Sequence, residues 1–134
     1  MPHWPMAERG FEVGTAIQFI ASHVMPGVEG PEGTLHEHDY RLEVLVSRNA
    51  LDERGMVCDL DVLDAALDDL REQVEGRNLD FLQTEGQPAV TVEVFAEWAH
   101  AFLARNLAGA GADSLAVRVW ESDVAFGGFR DRLG

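Results

Sequence analysis

The chain has 134 residues and a formal net charge of −14, and all ten of its basic residues are arginine. That length fits one domain with a proper core, so residues 1–134 read as a single domain with a core from about 11 to 130. No basic stripe could neutralise a nucleic-acid backbone, and without lysine neither a phosphate-loop lysine nor a Schiff-base amine is possible.

The N-terminal MPHWPMAERG has neither the basic segment nor the apolar run of a secretory signal. No apolar stretch nears the ~20 residues of a membrane span, so the expectation is a cytoplasmic protein without membrane contact. From Phe11 to Val24, FEVGTAIQFIASHV puts Phe11, Val13, Ile17, Phe19, Ala21 and His23 on one parity. This pattern predicts a long strand with one sheltered face. MPGVEGPEGT, with three glycines and two prolines, is an irregular loop. In HEHDYRLEVLV the second strand alternates as strictly: His36, His38, Tyr40, Leu42, Val44 and Val46 face the core side, and Glu37, Asp39, Arg41 and Glu43 face water.

NALDERG breaks the chain, and Cys58 follows in an apolar stretch. As the only cysteine it forms no internal disulfide, and it reads as a buried thiol rather than a nucleophile. Leu60, Leu63, Leu67, Leu70 and Val74 recur at helical steps up to the stop signal Gly76. A second helix opens at Thr91, a suitable N-cap, with Phe95, Ala99, Phe102, Leu103 and Leu107 toward its buried side. SLAVRVWES alternates again, placing Glu121 at the end of the Leu115, Val117, Val119 face, and AFGGF reads as a short final strand. The order ββααββ predicts an α+β fold, a four-stranded antiparallel sheet with two helices on one face.

Polar residues thus end the sheltered faces: His23 on the first strand, His36 and His38 on the second, Glu121 on the third. Buried imidazoles need partners. Zinc accepts neutral imidazole nitrogen, and three histidines leave its fourth position open, which is a catalytic arrangement. The bland alternative is a set of partly exposed histidines at strand ends. His3, near the terminus, and His100, in mid-helix, read as surface residues; Trp98 and Trp120 read as core or interface aromatics.

In order along the chain, FIASH, the H-x-H of LHEHDY, GMVCDL, the TVE opening the second helix and the late WES resemble the 6-pyruvoyl tetrahydropterin synthase and 6-carboxytetrahydropterin synthase family. Its signatures are F-x-A-x-H, H-G-H, G-x-V-x-D-F, P-T-x-E and a late E-T. The resemblance implies the tunnelling fold, homohexamers built as a dimer of trimers, and zinc held by His23, His36 and His38. It also implies a lyase acting on 7,8-dihydroneopterin triphosphate, with Glu121 anchoring the pterin ring and Thr91 and Glu93 in the substrate site.

Some of the family pattern is missing. The usual cysteine base precedes H-G-H, where this chain has GPEGTLHEH and offers Glu32 as a catalytic carboxylate; some family members carry glutamate there and release hydroxymethyl dihydropterin. The Asp-His relay segment L-D-H-x-x-L-N corresponds to VEGRNLDFL, with Arg77 and Asn78 at the best-aligned positions. Two readings follow: a zinc-dependent lyase with an altered proton relay, or a zinc- and pterin-binding homologue without the standard activity.

Overall fold

The structure is a computed structural model that describes residues 9–83, 86 and 89–133; His3 lies outside them. Strands β1 (Phe11–His23), β2 (His36–Arg48), β3 (Ser114–Trp120) and β4 (Phe126–Arg132) form one antiparallel sheet in the order β1-β2-β3-β4. Between β2 and β3 the chain makes α1 (Leu60–Val74) and α2 (Val92–Asn106). Both pack on one face of the sheet, α1 against β1 and α2 against β3 and β4, which is the expected ββααββ arrangement.

Alternation decides which face is covered. Ile17, Phe19 and Ala21 of β1, Tyr40, Leu42, Val44 and Val46 of β2, and Leu115, Val117 and Val119 of β3 are all buried. They meet Leu63, Leu67, Leu70 and Val74 of α1 and Phe95, Ala96, Ala99 and Leu103 of α2 in one apolar cluster. Glu37, Asp39 and Arg41, at the intervening positions, are exposed on the other face. No described helix is long and apolar enough to cross a membrane.

The helix ends are defined by side chains and one glycine. The Asp59 carboxylate accepts from the Asp61 amide at the start of α1, and the Thr91 hydroxyl accepts from the Val94 amide at the start of α2. After α1, Gly76 takes φ 72°, a conformation that favours glycine, and turns the chain back along β1. There the Gly76 amide donates to Ile20 O at 2.7 Å and Ser22 N donates to Arg77 O at 3.0 Å. The end of β1 is thereby fixed on both sides.

Four residues depart from the alternation and helical readings. Phe11 is 50 % exposed and Leu60 is 44 % exposed, because each opens its element beyond the area the opposite layer covers. His100 is not a surface residue: it is 6 % exposed and sits edge-on to Phe129, ring centroids 5.0 Å apart. Four residues after Ala96 and three before Leu103, it lies on the buried stripe of α2. Glu121 does not end a buried face; β3 stops at Trp120 and Glu121 is exposed.

Candidate metal centre

Pairing of β1 with β2 sets His23 opposite His36 and Ala21 opposite His38. Directly opposed side chains lie about 4.5–5.5 Å apart at Cβ, and His38 is the diagonal neighbour of His23 on the same face. The small Ala21 leaves room for the His38 ring to lean toward His23. Ring centroids are 4.5 Å apart for His23 and His36, 5.1 Å for His23 and His38, and 4.7 Å for His36 and His38. Period-two alternation and one hairpin register thus form the triangle.

Two backbone carbonyls orient the rings. His23 Nδ1 donates to Val90 O at 3.3 Å and His36 Nδ1 to Thr34 O at 2.7 Å. Each bond fixes a tautomer with the lone pair on Nε2, the usual outer support of a metal-binding imidazole. The Nε2 atoms of His23, His36 and His38 are all shielded from solvent, and none has a hydrogen-bond partner. Three sequestered ring nitrogens without hydrogen bonds, brought together in one space, would be costly in a metal-free protein; a divalent transition metal satisfies all three. Burial lowers the His23 pKa most. The Val90 bond opposes that shift, and the neighbouring His36 and His38 add to it. The net shift favours the neutral form a metal requires.

A fourth donor comes from the loop. Glu32 lies in a turn of 3-10 helix, Pro31–Gly33, and its Oε2 is 3.1 Å from His36 Nε2. The carboxylate oxygen thus comes close to His36 Nε2 without forming a hydrogen bond with it. One ligand atom each from His23, Glu32, His36 and His38 falls within 4.8 Å of the other three, a group that could hold a metal ion. Gly33 allows the loop to close: a Cβ there would stand 1.7 Å from Val28 O. Met25 N donates to Glu32 O at 2.9 Å and Gly33 N to Gly30 O at 3.1 Å, holding the turn against the end of β1.

The other expected site residues lie outside this group. The Thr91 hydroxyl caps α2. Glu93 is exposed beside Gly127 of β4, where an added Cβ would meet its Oε1 at 3.1 Å. Glu121 lines an open concavity with Gln18, Asp39, Arg41 and Trp120, yet its charge still acts on His23 and Tyr40. The Tyr40 ring is 5.5 Å from His38. Burial, then the charges of Glu121, Glu32 and Asp80, push its phenol well above the ordinary value, so it stays protonated. Cys58 is buried, and burial followed by the nearby Asp59 raises its pKa, as for an inert thiol. Asn78 caps the Leu79–Leu82 turn, accepting from the Asp80 amide. The two orienting carbonyls escaped sequence reading because a backbone acceptor leaves no residue signature.

Comparison with known proteins places these observations in a family. The sequence profile described as 6-pyruvoyl tetrahydropterin synthase matches residues 12–131. No curated protein sequence matches significantly. Among solved structures, a Plasmodium falciparum 6-pyruvoyl tetrahydropterin synthase superposes with a TM-score of 0.75 at 13 % identity, covering 92 % of this chain and 99 % of that one. A Plasmodium vivax 6-pyruvoyltetrahydropterin synthase whose catalytic glutamate is replaced by cysteine gives 0.73 at 14 % identity, covering 92 % and 99 %. The Caenorhabditis elegans 6-pyruvoyl tetrahydropterin synthase gives 0.69 at 19 % identity, covering 92 % and 95 %. The shared architecture is the tunnelling fold expected from the motifs.

Proposed function

Because the chain belongs to the 6-pyruvoyl tetrahydropterin synthase family, we propose that it is a zinc-dependent lyase acting on 7,8-dihydroneopterin triphosphate or a closely related pterin. The observation that carries this reading is the convergence of three Nε2 atoms, none of them hydrogen-bonded, with the Glu32 carboxylate at one end of the sheet. His23, His36 and His38 are the zinc ligands, a borderline donor set that suits zinc and leaves one position for substrate. Zinc, when bound, polarises the hydroxyl and carbonyl oxygens of the substrate side chain and so acidifies the adjacent C–H.

Glu32 is the proton acceptor. Its side chain is 56 % exposed, so it can turn toward a substrate, and it is the carboxylate nearest the imidazoles. The P. vivax relative also has a catalytic glutamate, which favours a carboxylate in this role. Tyr40, protonated beneath His38, closes the floor of the site without competing for the proton. Glu121 anchors the pterin: an ionised carboxylate accepts in parallel from a 2-amino group and a ring N–H. Thr91 and Glu93, at the start of α2, belong to substrate recognition.

The working form is a homohexamer, a dimer of trimers, in the cytoplasm. Among the described strands none pairs with the outer edge of β4, and the outer edge of β1 is covered only near Ile20 and Ser22 by the chain after α1; open strand edges invite pairing between copies. A second reading, zinc and pterin binding without turnover, is favoured by one observation: the single cysteine is buried and absent from the metal-binding group. Incubation of the zinc-loaded protein with 7,8-dihydroneopterin triphosphate, with products followed by mass, separates the two. The lyase reading expects a side-chain cleavage or elimination product that Glu32→Gln no longer forms. Intact substrate with zinc bound would overturn it in favour of binding alone.

A further inference from the structure

We infer that Glu32 is also the fourth metal ligand of the resting site, closing it as a His3Glu centre until substrate takes its place. The inference rests on the reading of His23, His36 and His38 as zinc ligands and adds a second role for the carboxylate. Two atoms each about 2.0–2.1 Å from a tetrahedral zinc stand roughly 3.3 Å apart. Glu32 Oε2 and His36 Nε2 are 3.1 Å apart, near that ligand-to-ligand edge, and no hydrogen bond accounts for the approach.

The loop favours such a placement. Glu32 and His36 are four residues apart. Between them the chain is folded tightly by the Gly33 N to Gly30 O, Thr34 N to Pro31 O and Thr34 Oγ1 to Pro31 O bonds. Met25 N, two residues beyond β1, holds the Glu32 carbonyl, so the backbone that carries the carboxylate is anchored beside the strand that ends in His23. His23 is 4 % exposed and the Glu32 side chain 56 % exposed. The His23 ring is therefore fixed by packing and the His36 ring by its bond to Thr34 O, whereas the carboxylate can leave without disturbing the core. A ligand that is tethered at its backbone and free at its side chain is suited to exchange.

Two measurements on the full-length protein test this. The first is zinc affinity by competition with a chromogenic chelator for the parent, Glu32→Ala and Glu37→Gln, the last removing an exposed carboxylate on the opposite face. Loss of a ligand predicts an affinity drop of roughly tenfold or more for Glu32→Ala and none for Glu37→Gln. The second is azide binding to the cobalt-substituted protein, read from the visible ligand-field bands. The parent, with its fourth position filled by Glu32, binds azide at least tenfold more weakly than Glu32→Ala. Equal zinc affinity and equal azide affinity in parent and Glu32→Ala would overturn the inference while leaving the three-histidine site intact. A parent that binds neither zinc nor cobalt would instead sink the functional reading beneath it.

Discussion

Gly33→Ala tests whether the loop geometry matters to the metal site. The added Cβ would stand 1.7 Å from the Val28 carbonyl oxygen, whereas real Cβ contacts essentially never fall under 3.0 Å, so the backbone must find at least 3.0 − 1.7 = 1.3 Å. The obstacle is main chain and cannot rotate away. A displacement of that size breaks Met25 N to Glu32 O and Gly33 N to Gly30 O, which are 2.9 and 3.1 Å long. At ~1 kcal/mol per hydrogen bond, discounted because the loop is exposed, the cost is about 1–2 kcal/mol, and melting falls by roughly 4–8 °C. Metal affinity responds more strongly. The shift carries Thr34, whose carbonyl holds His36 Nδ1, and losing such outer support costs roughly 10- to 100-fold in affinity. Thermal melts of the metal-free protein and chelator competition measure the two effects. A Gly33→Ala protein that melts and holds zinc like its parent would refute the argument.

Thr91→Ala removes the hydroxyl that caps α2 and should cost about 1 kcal/mol in denaturant unfolding, with metal content unchanged. Glu121→Gln should weaken pterin binding by about 1.5 kcal/mol, the low end for a hydrogen bond to a charged group because Glu121 is exposed; zinc content should not change. Cys58, its pKa raised by burial, should resist iodoacetamide at pH 8 in the native protein and react promptly in denaturant. The unfolded chain ionises its thiol first, so the linked stability is fully present below the unfolded pKa and declines as pH rises past it. Prompt native alkylation would contradict the buried assignment.

The three histidines were legible because a strand has a two-residue period and each one ended an otherwise apolar parity. Their convergence needed the register, which the sequence pattern left open and the His23-to-His36 pairing supplies. Glu32 was legible only through family resemblance, since an irregular glycine-rich loop has no period from which to infer where a side chain points. The Glu121 reading carried strand parity one residue too far: alternation has no meaning past Trp120, where pairing with β2 and β4 ends. His100 was misread because its polarity outweighed its spacing. Ala96, Ala99 and Leu103 place it on the buried side of α2, and the ring fills space against Phe129 much as an apolar side chain would. The helices themselves were plain, since leucine spacing, caps and the Gly76 stop all agreed.

If the three imidazoles hold a metal ion that in turn receives a pterin, pterin binding must depend on the metal. Titration of neopterin into zinc-loaded and chelator-stripped protein, followed by calorimetry, tests it most directly. One pterin should bind per zinc-loaded chain and at least tenfold more weakly after stripping, with binding restored when zinc is returned. Equal pterin affinity with and without metal, or no pterin binding by a chain that holds one zinc, would contradict it.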